Sequence, residues 1–106
     1  MSILEANIID GIAKSEDDKK IILLITDHLS WENEYEHLSL LQDKINAYLG
    51  YIESKQYAEL YEDVNYEEFI IEIHFKYHTT INCLKFIDII SNQLFLYNIG
   101  IKIINV

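Results

Sequence analysis

Apolar side chains recur along this chain at two periods, and the changes between them mark out successive elements. Near the N-terminus, "NIIDGIA" and "KIILLIT" flank the polar stretch "KSEDDK", a pattern that predicts a β-hairpin. The second of these strands is apolar on both faces, with Ile21, Leu23 and Ile25 on one and Ile22 and Leu24 on the other. A strand of that kind is expected at the centre of a sheet. The period then lengthens. Leu38, Leu41, Ile45, Tyr48 and Ile52 step by three and four residues, the stripe of an amphipathic helix. Asn33, followed three residues later by Glu36, predicts the N-cap, a variant of the capping box. Glu32, Glu34 and Glu36 then fall where the helix dipole favours carboxylates. Trp31 and Tyr35 are placed to fold back on the stripe, and Gly50 weakens the helix by about 1 kcal/mol relative to alanine.

After a polar, tyrosine-rich segment, "EEFIIEIHFKYH" returns to strict alternation. Phe69, Ile71, Ile73, Phe75 and Tyr77 lie on one face; Glu68, Ile70, Glu72, His74, Lys76 and His78 lie on the other. Thr79 or Thr80 can cap a second helix running to about Asn98, with a core stripe of Ile81, Leu84, Ile87, Ile90, Leu94 and Tyr97. Phe86, Ile89, Phe95 and Leu96 fall outside that stripe and leave the helix greasy all round. Gly100 suits the left-handed stop, and "IKIINV" closes the chain as a strand.

The predicted order is β-β-α-β-α-β in a single domain, residues 1–106. With right-handed crossovers and strands stepping one way, both helices land on one face of a four-stranded sheet. The fold class is α+β, a two-layer α/β sandwich. Strand order is not set by the pattern. The opposite sheet face would carry Ile22, Leu24, Ile70 and Ile104, and with the surplus on the second helix this predicts a homodimer.

Composition narrows the uses. The 106 residues include twenty isoleucines, no proline and no arginine, so no guanidinium is available for bidentate phosphate or guanine recognition. A net charge of -10 repels nucleic acid and anionic lipid and favours a basic protein partner, or serves solubility alone. No apolar run approaches the ~20 residues that span a bilayer, and no signal peptide is evident. The single Cys83 cannot form an internal disulfide, which fits a reducing, cytoplasmic setting.

The candidate chemistry is sparse. "DHLSWENEYEH", residues 27–37, gathers Asp27, His28, Glu32, Glu36 and His37, all able to ligate metal. Their spacing matches no compact zinc pattern; the plainer reading is a capped helix start with a solvated histidine at each end. His74 and His78 share a strand face about 13 Å apart, too far for one ion, and Glu72 beside His74 reads as alternating charge on a wet face. Cys83 opens a helix, where a dipole can activate a thiol, yet its apolar neighbours predict burial. There is no nucleophile elbow, phosphate-cradling loop or dinucleotide fingerprint. No metal, cofactor or catalytic residue is assigned, and an enzyme is the less favoured reading.

The most site-like feature is the acidic tyrosine segment: Tyr57, Tyr61, Glu62, Asp63, Tyr66 and Glu67, which could meet a basic partner. The alternative is a surface loop whose rings tuck onto the helix.

One segment is distinctive. "ITDHLSWENEYEHLSLLQDKINAYLGYIES", residues 25–54, resembles a family of small uncharacterised bacterial proteins classed as a domain of unknown function. The shared elements are D-H-L-x-W followed by E-H-L-x-L-L-Q-x-K-I-N-A-Y-L. The resemblance implies a bacterial cytoplasmic protein and singles out Asp27, His28, Trp31, His37, Gln42, Lys44 and Asn46. It implies no activity. Three uses remain open: a binding or inhibitory, immunity-like module masking a basic partner; a metal-dependent or hydrolytic enzyme using Asp27, His28 and His37; and a self-associating structural protein.

Overall fold

A computed structural model describes residues 2–16, 19–59, 66 and 68–106. The strands are β1 (Gly11–Lys14), β2 (Lys20–Asp27), β3 (Glu68–Phe75) and β4 (Ile99–Asn105); the helices are α1 (Glu34–Glu53) and α2 (Ile81–Leu94). Short 3-10 turns at Gln56–Glu59 and Phe95–Tyr97 follow the two helices. The strands lie in sequence order across one sheet, with β1 antiparallel to β2 and β2, β3 and β4 parallel. This is the expected α+β order, in a mixed sheet.

The alternation sorts the sheet's two faces. Ile21, Leu23 and Ile25 of β2 and Ile71, Ile73 and Phe75 of β3 are buried, each at or below 1 % exposure. They form one core with Leu41, Ile45, Tyr48 and Ile52 of α1 and Cys83 and Ile87 of α2. Both helices therefore cover the same face, as two right-handed crossovers require. Ile22, Leu24, Ile70 and Ile104 of the other face are only half-buried.

The predicted cap of α1 is present. Asn33 Oδ1 accepts from the Glu36 backbone N–H at 3.2 Å, and Asn33 Nδ2 donates to Glu36 Oε2 at 3.0 Å. Glu36 thus reaches the cap's side-chain amide instead of its backbone, which distinguishes this cap from the usual capping box. Gly50 does not interrupt the helix, which continues to Glu53; Lys55, at φ 59°, then takes the left-handed position. Tyr35 does not fold back: it is exposed.

Three expectations change and one is narrowed, the α2 cap, to the second of its two candidates. The first strand begins at Gly11, because Asn7–Asp10 is held by side chains of α1 instead of by a neighbouring strand. The left-handed stop falls at Asn98 (φ 61°), a residue that tolerates it, and Gly100 lies within β4. Thr80 caps α2, accepting from Cys83 N at 3.1 Å. The core side of α2 is rotated from the predicted stripe: Cys83 and Ile87 are buried with Phe86 and Ile90 packed beside them, while Ile81, Leu84 and Tyr97 are exposed. The predicted stripe advances by threes from Ile81 to Ile90 and so drifts round the helix, whereas Cys83, Phe86, Ile87, Ile90 and Leu94 keep the mixed three-and-four spacing of a single face, opposite Lys85, Asp88 and Asn92.

Candidate functional site

The loop from β2 into α1 brings Asp27 and His37 together. Asp27 is the last residue of β2 and shares the helix-facing side with Ile25; His37 lies in the first turns of α1, one turn before Leu41. Both are 2 % exposed. His37 Nε2 lies 2.6 Å from Asp27 Oδ2, and His37 Nδ1 lies 3.1 Å from the Ser30 carbonyl oxygen. The other carboxylate oxygen of Asp27 accepts from Leu29 N at 3.1 Å, tightening the turn. Trp31 stacks on the imidazole, ring centroids 3.7 Å apart and planes 18° off parallel. The expectation of a solvated histidine at each end is therefore corrected: His28 is exposed, but His37 is sealed in.

The hydrogen-bond arithmetic fixes what this pair can do. A carbonyl oxygen only accepts, so Nδ1 of His37 carries a hydrogen toward Ser30. Nε2 faces a carboxylate, so one proton lies on the line between them. No ring nitrogen is left with a free lone pair. A general base needs one to take a proton, and a zinc ligand needs one to bind. As arranged, the pair is a clasp joining the end of β2 to the start of α1.

The neighbouring thiol is not activated either. Cys83 is buried, and burial, then the negative charges of Asp27 and Glu34, push its thiol up to about 12. That is the opposite of an activated thiol. Across the helix starts, Asn82 Nδ2 donates to Glu34 Oε1 at 2.8 Å. The Asn82 bond, then one from Thr80, holds the Glu34 carboxyl below its ordinary value. Among the described residues, no group of three or more His, Cys, Asp or Glu side chains could hold a metal ion. On the far sheet face His74 Nε2 meets Glu72 Oε1 at 2.6 Å, while His78 is exposed beyond the strand.

A second buried polar cluster lies farther along α1. Lys44 is fully buried, and its ammonium donates to Glu5 O at 2.7 Å, Ile8 O at 2.6 Å and Asp10 Oδ1 at 2.9 Å. Three donors meet three acceptors. Asp10 Oδ2 in turn accepts from Thr26 N at 2.9 Å and Thr26 Oγ1 at 3.2 Å, past the end of β1. Tyr48 Oη accepts from Asp10 N at 2.9 Å and donates to the Leu24 carbonyl, and burial raises its pKa. Lys44 thereby straps residues 5–10 along the helix, with Ile3 buried in the core. Sequence reasoning missed Asp10 and Ile3. Only the resemblance singles out Lys44, though its place three residues after Leu41 and four before Tyr48 puts it on the buried stripe.

The other named positions separate. Gln42 and Asn46 are exposed on α1. Tyr57 and Tyr66 are half-buried, their rings edge to face at 5.7 Å, and Tyr57 packs on Phe69 at 5.1 Å. Tyr61, Glu62, Asp63 and Glu67 lie outside the described residues. In front of the clasp is a shallow groove of about 220 Å³, lined by Leu4, Leu29 and Leu40 and by Glu32, Asn33 and Glu36.

No helix among the described residues is long and apolar enough to cross a membrane. Residues 1–105 match the model of one family, described as a family of unknown function. Comparison with curated proteins and with solved structures gives no match.

Proposed function

The chain belongs to the DUF6572 family of unknown function, and we propose that it works by binding, masking a basic protein partner in the manner of an immunity protein. The observation that carries this reading is the groove at the start of α1. Leu4, Leu29 and Leu40 give it apolar walls, while Glu32 and Glu36 stand exposed at it. That combination suits a lysine or arginine side chain, whose stem wants apolar contact and whose head wants a carboxylate. The saturated Asp27–His37 clasp behind the groove supplies rigidity to it and no reactive group. The overall charge of -10 would speed encounter with a basic surface. A free, buried Cys83 suits a cytoplasmic setting.

The test is affinity capture from the native cell at low and moderate salt, with wild type beside a Glu32→Lys/Glu36→Lys variant. The reading expects a basic protein held by wild type, more weakly at higher salt, and lost with the charge reversal. Capture of no basic protein at either salt, or capture indifferent to the reversal, rejects it.

A further inference from the structure

The sheet face turned away from the helices is apolar at its middle and electrically balanced, and we propose that a second copy of this chain covers it, face to face. Ile22 and Leu24 of β2, Ile70 of β3 and Ile104 of β4 lie half-buried on it. Around them, Lys20 pairs with Glu68 at 3.6 Å, and Glu72 sits in register with Lys102 on the neighbouring strand. His74, bonded to Glu72, is the remaining titratable group of that face on these three strands. Two lysines cancel two glutamates. The whole net charge of -10 therefore resides elsewhere on the molecule.

This balance selects the occupant. A strongly basic partner would find its attraction on the acidic remainder of the surface and none here; an anionic one would meet repulsion from the rest of the chain. A second copy brings a face that is neutral, apolar at its centre and studded with both signs. A two-fold arrangement is self-complementary by construction, so lysines of one copy can meet glutamates of the other. Strands of four, eight, eight and seven residues, at ~4.8 Å spacing and ~3.3 Å rise, project about 430 Å². Side chains standing on the sheet add accessible area to that projection, to be set against the about 800 Å² per partner of stable interfaces. This inference is independent of the basic-partner reading, which uses the helix side.

Charge swapping tests it. Sedimentation equilibrium should give wild type twice the chain mass of 12.5 kDa. Glu72→Lys gives each face two excess positive charges, and Lys102→Glu gives it two excess negative ones. Each variant alone should dimerise about 10-fold more weakly or worse, and an equimolar mixture should recover the dimer. In a wild-type mixture of isotopically light and heavy chains, zero-length lysine–carboxylate cross-linking should join Lys102 of one copy to Glu72 of the other. A wild type that stays monomeric at millimolar concentration overturns the proposal. So does a dimer untouched by both swaps, a mixture that fails to recover it, or cross-links that avoid this face.

Discussion

His37 Nε2 lies 2.6 Å from Asp27 Oδ2, across ten residues of chain and inside the protein. The bond links the C-terminal end of β2 to the first turns of α1, and Trp31 closes over it. Because the imidazole's other nitrogen is bonded to Ser30, this histidine–aspartate pair lacks the outward-facing nitrogen that a catalytic pair requires. Its consequences are those of a structural element, and they can be measured.

Asp27→Ala should remove the acceptor and leave a buried imidazole nitrogen unmatched. The expected loss in urea unfolding is about 3 kcal/mol or more. His28→Ala, one residue on and exposed, should change stability by no more than about 0.5 kcal/mol. Equal losses from the two would remove the distinction drawn between them.

Lys44→Met keeps an unbranched apolar stem, one atom shorter, and deletes the ammonium with its three donors. The Asp10 carboxylate is then buried without its cation, at a cost of about 3–5 kcal/mol. Hydrogen exchange should quicken first at the backbone amides of Glu5, Ile8 and Asp10. Adding Asp10→Asn to the same chain should recover part of the loss, since the stranded charge is gone.

Cys83 should be inert in the folded state. A thiol pushed up to about 12 by burial and neighbouring carboxylates holds very little thiolate at pH 7.5. Alkylation should run about 1,000-fold or more slower than at an exposed cysteine of ordinary pKa. It should accelerate in urea in step with unfolding. Fast labelling in buffer would contradict the burial.

Glu34 offers a pH signature. Its folded carboxyl titrates below the ordinary value, so the bonds from Asn82 and Thr80 help the folded state above the unfolded pKa. That help fades as pH falls through the folded one. Asn82→Ala should move the Glu34 titration upward, followed by side-chain carboxyl NMR.

Much of this architecture is legible in the residues alone. The alternation at Phe69–Phe75 and the Asn33–Glu36 cap are local signals, and the chain obeys them. What resists reading is set by tertiary partners. His37 and Lys44 fall on the α1 stripe four residues before and three after Leu41, so the helix turns both inward. Whether an inward polar residue is tolerated depends on Asp27, Asp10 and three backbone carbonyls supplied from elsewhere in the chain. The N-terminal residues before β1 are held by Lys44, by Tyr48 and by single bonds to Thr26 at the end of β2, and not by a strand ladder that would impose alternation. On α2 the spacing of Cys83, Phe86, Ile87, Ile90 and Leu94 does mark the buried face, and a stripe drawn from Ile81 in steps of three drifts off it.

The most direct measurement is the side-chain ¹⁵N spectrum of His37. A closed clasp predicts a hydrogen on Nδ1, bonded to Ser30 and slow to exchange with water, with added zinc leaving the resonances unmoved. A bare Nδ1, rapid exchange with solvent, or a zinc-dependent shift would mean that the imidazole is open after all.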